Sequence, residues 1–231
     1  MDFVFPPMPP CSLAIVNQMQ RFPVHRIYCV GRNYAEHAQE MGCTGREPPF
    51  FFLKPGDAAL PAAAETTVDM PYPDLTADLH HEVELVAAIG KGGRHIPVAD
   101  ALQHLWGYAV GLDMTRRDLQ TALKKQGRPW CIAKGFEASA PIGALTPIAQ
   151  TLGVDNAAIT LHVTGQLRQS GNTQDMIWKV AEIISHLSHA WTLQPGDLIM
   201  TGTPAGVGAV QRGDLLEARI TGLQALSVRV V

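Results

Sequence analysis

The sequence predicts an α+β fold dominated by β-strands. Short apolar runs bounded by Gly, Pro, Asn or Asp recur through most of the chain, which is the pattern of strands and turns. Only Asp175–Trp191 carries a long stripe at helical spacing, through Met176, Ile177, Val180, Ile183, Ile184, Leu187 and Trp191. No repeat at a fixed period suggests a solenoid. With 231 residues there is room for one large domain or two small ones, and for a substantial core.

Composition excludes several roles. The net charge is −3 and the basic residues are scattered, so there is no footprint for nucleic acid. The four cysteines, Cys11, Cys29, Cys43 and Cys131, show no Cys-x-x-Cys spacing and read as free thiols of a reducing compartment. No secretory signal is visible, and no apolar run approaches the roughly 20 residues of a membrane helix. The expectation is a cytoplasmic globular protein with no membrane partner.

Taken in order, residues 1–25 open with Phe3-Val4-Phe5-Pro6-Pro7-Met8-Pro9-Pro10, and the prolines predict an extended arm. Residues 26–231 then form a single domain. His25–Val30 reads as a strand. Gly31 to Gly42 follows as a helix that places His37 and Glu40 on one face, either as a surface pair or as a water-activating dyad. Phe50–Pro55 is an apolar strand reaching Lys54, which either faces an anionic ligand or marks where the strand surfaces. Val98–Trp106 has a helical pattern, Tyr108–Leu112 a strand pattern, and Met114 to Lys125 a charged helix with Arg117 and Gln120 on one face. Arg117 offers a fork for a carboxylate and Gln120 an amide for a carbonyl. Ile159–Val163 and Gln166–Arg168 flank Thr164-Gly165 as a hairpin. Leu198–Thr201 is a strand, followed by the glycine-rich Gly202–Gly208, where backbone N–H groups can approach a ligand. Leu215–Ile220 and Leu226–Val230 close the chain as strands.

The chemistry centres on Leu79-His80-His81-Glu82-Val83-Glu84-Leu85-Val86, read as one strand. Residues two apart share a face, so Glu82 and Glu84 stand side by side. Two adjacent carboxylates repel unless a cation or proton holds them. An edge strand with a solvated acidic face is one reading; the apolar flanks favour a buried, metal-holding pair. Asp113, at a strand-to-helix junction, is a third hard oxygen ligand of the kind Mg²⁺, Mn²⁺ or Ca²⁺ prefers. Lys134 lies in the apolar Trp130–Phe136 and needs a carboxylate partner if buried, which makes it a candidate neighbour of the acidic group or of an anionic substrate.

Six motifs, in order, resemble the fumarylacetoacetate hydrolase family: Cys29-Val30-Gly31-Arg32-Asn33-Tyr34-Ala35-Glu36-His37, Leu53-Lys54-Pro55, His80-His81-Glu82-Val83-Glu84, Leu112-Asp113-Met114-Thr115, Ala133-Lys134-Gly135-Phe136 and Thr201 to Gly208. The short form is similar to the acylpyruvate and fumarylpyruvate hydrolase branch. The resemblance implies a mixed β-sandwich roll, a homodimer, and Mg²⁺ or Mn²⁺ on Glu82, Glu84 and Asp113. It further implies that His37, oriented by Glu40, takes a proton from water, and that hydroxide attacks the C4 carbonyl of a 2,4-dioxo acid. Pyruvate then leaves as an enolate stabilised by the metal and Lys134, while Arg32, Arg117, Gln120 and Thr203 bind or polarise the substrate. Oxaloacetate decarboxylation and dienoate isomerisation are the alternatives on the same site, and a non-catalytic metal-binding scaffold ranks last.

Overall fold

The computed structural model describes residues 2–34 and 46–231. Two packed sheets account for most of the molecule. The larger has eight strands. Seven run in the order β4 (Phe50–Pro55), β3 (Arg26–Gly31), β15 (Leu198–Met200), β8 (Val83–Ile89), β9 (Leu105–Leu112), β11 (Ala140–Ile142) and β5 (Ala59–Pro61), and β12 (Thr146–Pro147) pairs with β9 off this path. The smaller has five, in the order β14 (Gln166–Asn172), β13 (Ala158–Val163), β17 (Leu215–Ile220), β18 (Leu226–Val230) and β6 (Thr67–Met70). Parallel pairs (β3 with β15, β5 with β11, β6 with β18) lie among antiparallel ones, so both sheets are mixed. The fold is the β-rich α+β domain that the strand-and-turn pattern predicted, with the mixed sandwich that the family resemblance implied.

Strand alternation builds two cores from the one large sheet. Val83, Leu85, Ala87 and Ile89 of β8 face inward against Ile159, Leu161, Leu216, Ala218 and Val228 of the smaller sheet. Among the described residues the α-helices are α1 (Val98–Ala101), α2 (Arg117–Lys125), α3 (Cys131–Lys134) and α4 (Val180–Ala190), and α4 adds Ile183, Ile184 and Leu187 to this core. On the opposite face, Val86 and Ala88 pack with Ile27, Cys29, Ala109, Ile142 and Met200. Each fully buried Leu, Ile or Val contributes about 1.5–3 kcal/mol.

Several expected boundaries are met. Phe50–Pro55, Leu215–Ile220 and Leu226–Val230 are strands at the expected residues. The Thr164-Gly165 turn joins β13 to β14 with both residues at positive φ (49° and 78°), the type I′ geometry that suits a two-residue hairpin. Others differ. The segment expected as an extended arm instead folds between Ser12 and Pro23 into an antiparallel hairpin, β1 (Ser12–Ile15) with β2 (Gln18–Pro23). Leu13, Ile15 and Phe22 close the second core, which is why the hairpin is held. The stripe predicted to be helical from Asp175 starts as a helix only at Val180. Asn33 captures the preceding backbone by accepting from Trp178 N–H and donating to its carbonyl, and Glu182 then caps the N–H of Lys179. Val98–Trp106 is helical only to His104, and its last two residues belong to β9. The helix expected from Gly31 to Gly42 lies largely outside the described residues, as do His37, Glu40 and Cys43.

The acidic strand is not one strand. It breaks at Glu82 into β7 (Leu79–His81) and β8. β7 belongs to a separate three-stranded sheet, between β10 (Thr115–Arg116) and β16 (Gly208–Ala209). Glu82 therefore sits at the seam between two sheets.

Candidate metal centre

Glu82, Glu84 and Asp113 come together from different elements: the seam, the start of β8, and the residue after β9. Each offers an oxygen within 4.8 Å of the others, and all three are buried. The backbone links them. The N–H of Asp113 donates to the carbonyl of Glu82 (2.9 Å), and the N–H of Gly202 donates to the Glu84 carboxylate (2.7 Å). Gly202 is required there. Its φ is 99°, and a Cβ would lie 2.7 Å from that of Asn33.

Three cations face the carboxylates. Lys134, at the end of α3, places Nζ 2.7 Å from Asp113 and 2.9 Å from Glu82. Arg117, opening α2, pairs with Glu82 and donates to the Gln120 carbonyl oxygen. Lys54 is the residue sequence reasoning left undecided. It does not surface but is 1 % exposed, with Nζ 2.9 Å from Asp113 and further bonds to the carbonyls of Met114 and Lys134. β4 is the edge strand of the large sheet, and Lys54 turns inward while Leu53 and Pro55 on either side of it are exposed.

The electrostatics are uneven. Burial opposes charge on Glu82, but Lys134 and Arg117 outweigh it and hold the carboxyl well below the usual carboxylate range. Glu84 goes the other way: burial, then Asp113 and Glu82, push its carboxyl well above that range. Among the described residues no cation forms an ion pair with Glu84. Burial works against the Lys134 ammonium, yet Asp113 and Glu82 raise it above the ordinary lysine value. A divalent cation would supply what Glu84 lacks, and the all-oxygen donor set suits Mg²⁺ or Mn²⁺.

Arg32, Arg117, Gln120, Lys134 and Thr203 line the same cavity as the three carboxylates, so the structure brings together every described residue of the expected site. Arg32 has φ 57° and stacks 5.5 Å from the centre of the Phe50 ring. Phe50 and Phe52 pack edge-on against Trp130 and form an apolar wall that the sequence did not announce. The Thr203 hydroxyl accepts from Gln169 and donates to the Val83 carbonyl (both 2.8 Å), so its proton is committed within the protein.

The model for the fumarylacetoacetate (FAA) hydrolase C-terminal region matches residues 26–231. This chain belongs to the fumarylacetoacetate hydrolase family. The fold is similar to that of fumarylpyruvate hydrolase from Pseudomonas aeruginosa, solved in complex with Mn²⁺ and pyruvate, with a TM-score of 0.97 and 56 % identity over 100 % of this chain and 99 % of that one. The sequence is 46 % identical to the mitochondrial oxaloacetate tautomerase FAHD1 of Arabidopsis thaliana over 86 % of this chain and 87 % of that one. It is 42 % identical to the mitochondrial oxaloacetate decarboxylase of Dictyostelium discoideum over 86 % and 89 %. Among the described residues no helix is long and apolar enough to cross a membrane.

Proposed function

We propose that the protein is a divalent-metal-dependent hydrolase that cleaves the C–C bond of an acylpyruvate, with fumarylpyruvate, giving fumarate and pyruvate, as its leading substrate. The observation that carries this is the charge arrangement. Three cations pair with Glu82 and Asp113, and among the described residues none pairs with Glu84. A divalent ion on Glu82, Glu84 and Asp113 answers that deficit and leaves the group net positive, which suits an anionic 2-oxo acid. Once bound, the ion supplies Lewis-acid stabilisation of enolate charge.

The chain's own residues do the rest. Lys134 adds a second positive charge where the enolate develops. Arg32 and Arg117, which line the cavity, would take substrate carboxylates, and Gln120, whose carbonyl oxygen is held by Arg117, would present its amide nitrogen to a ligand carbonyl. His37, oriented by Glu40, takes a proton from water as the water oxygen adds to the C4 carbonyl. The C3–C4 bond then breaks, its electron pair passes to the pyruvate fragment, and that carbon is reprotonated. The wall of Phe50, Phe52 and Trp130 limits bulk water. The likeness to the Pseudomonas fumarylpyruvate hydrolase supports this reading because it spans the whole chain.

A second reading, oxaloacetate decarboxylation or tautomerisation, has support in the names of the Arabidopsis and Dictyostelium relatives. These reactions also pass through an enolate but require no activated water. A panel of fumarylpyruvate, maleylpyruvate, acetylpyruvate and oxaloacetate, assayed with Mg²⁺ or Mn²⁺ and with chelator, separates them. Metal-dependent hydrolysis of fumarylpyruvate is expected, and a clear preference for oxaloacetate would reverse the order. The free thiols of Cys11, Cys29 and Cys131 fit a reducing compartment, with the cytoplasm proposed here. Exposed Phe3, Val4, Phe5 and Met8 on the arm fit self-association as a homodimer, which light scattering would test.

A further inference from the structure

Gln169 is an anomaly of its strand. β14 exposes Leu167 by 56 % and buries Gln169 completely. An amide taken out of water is costly unless its hydrogen-bonding capacity is filled. Gln169 fills both ends. Its Oε1 accepts from the N–H of Val83 (3.0 Å) and from Nδ1 of His81 (2.9 Å), while Nε2 donates to the Thr203 hydroxyl (2.8 Å) and the Pro204 carbonyl (2.9 Å). The amide cannot be turned over, because the Val83 N–H only donates and the Pro204 carbonyl only accepts.

These contacts bracket Glu82. Gln169 holds the residues on both sides of it, His81 at the end of β7 and Val83 at the start of β8. It also replaces a missing strand. β15 ends at Met200, and beyond it the open edge of β8 at Val83 is completed by two side chains, Gln169 on the N–H and Thr203 on the carbonyl. The other two carboxylates are one link further on. Glu84 follows Val83 and is bonded by Gly202, the neighbour of Thr203. Asp113 is tied to the Glu82 carbonyl.

We infer that Gln169 is a positioning residue for the metal-holding carboxylates: by clamping the seam at His81 and Val83 and fixing the Thr203 hydroxyl, it sets where Glu82 and Glu84 converge. The inference rests on the metal reading given above. Its test is Mn²⁺ binding, measured by calorimetry and by the electron paramagnetic resonance spectrum of the bound ion, at a temperature where every variant is folded. Gln169→Glu keeps the acceptor for Val83 but sets a carboxylate oxygen against the Pro204 carbonyl and draws the Thr203 proton away from Val83. Thr173→Ala is the comparison. Thr173 is also fully buried and bonded, to Val154 and Ala157, but away from the carboxylates.

Gln169→Glu should weaken Mn²⁺ binding about 10–100-fold, as loss of outer-shell support to a ligand does, and should alter the spectrum of the ion. Thr173→Ala should lower the melting temperature in chelator and leave both unchanged. Parental affinity and spectrum in Gln169→Glu, with only a loss of stability, would overturn the inference. If Gln169→Glu does not fold, Gln169→Asn, which keeps the amide but draws it back from the seam, should give the same ordering. Glu82→Gln in the same assay separates the two levels: parental Mn²⁺ affinity there would remove the metal site itself, and with it the role of Gln169.

Discussion

Asp197 and Glu84 are buried carboxylates at opposite ends of the neighbouring strands β15 and β8, and their surroundings differ sharply. Asp197 is 0 % exposed and accepts from His25 Nδ1 (2.8 Å), twice from Arg26 (3.0 and 2.7 Å) and from the N–H of Gln194 (2.8 Å). Its charge is answered within the chain, and it fastens β3 to the turn before β15. Glu84 has the N–H of Gly202 and no paired side-chain cation among the described residues, with two further carboxylates close by. A buried charge that is fully answered holds structure together. One that is left in deficit points to a partner from outside the chain.

The comparison can be broken at either end. The largest expected effect is on function at Glu84. Glu84→Gln should reduce Mn²⁺ affinity and turnover by at least about 100-fold, the upper end of what weaker, outer-shell changes cost. In chelator the same variant should melt no lower than the parent, because an unanswered buried charge has been removed. A large fall in melting temperature there would mean that Glu84 is structural after all. Asp197→Ala should do the reverse. Leaving Arg26 without its partner should cost about 3–5 kcal/mol, which for a chain of this size lowers the melting temperature by roughly 6–20 °C. Mn²⁺ affinity of the folded fraction should stay at the parental value.

Lys54 sharpens the contrast because it belongs to both classes. Its ammonium answers Asp113 as Arg26 answers Asp197, yet Asp113 is also a candidate ligand. Lys54→Met should therefore lower urea stability in chelator and, by leaving Asp113 without its ammonium, raise Mn²⁺ affinity, and an effect on one alone would place it in a single class. The smallest effect is expected at Glu182. Burial works to raise its carboxyl, but the Lys179 N–H and Arg46 outweigh that and hold it below the ordinary value. A carboxyl lowered on folding adds stability above its unfolded pKa and loses it as pH falls through the folded value. Glu182→Gln should thus lower the melting temperature at neutral pH by about 1–4 °C, the worth of a helix cap. The gap between variant and parent should close in acid.

Much of this was legible in the sequence because it rests on local pattern. Phe50–Pro55 and Leu215–Ile220 announce themselves through runs bounded by turns. Glu82, Glu84 and Lys134 do so as charges set among apolar residues. What escaped depends on distant parts of the chain. Nothing near Gln169 distinguishes it from a solvent-facing glutamine in a polar hairpin, since its four partners lie more than thirty residues away. The late start of α4 is set by Asn33, some 145 residues earlier. The break at Glu82 is likewise invisible from its own neighbours, because it is imposed by β10 and β16 pairing with β7.

That break has a consequence for how the protein is assembled. Had Glu82 and Glu84 belonged to one continuous strand, their spacing would follow from the pleat and would exist as soon as the strand paired. Instead the distance between them depends on how the small sheet docks on the large one. A chain in which the large sheet has formed but β7, β10 and β16 have not yet docked would have no coherent set of oxygens to offer an ion. An ion held by all three oxygens would therefore report on the completed joint between the three-stranded and eight-stranded sheets rather than on either sheet alone.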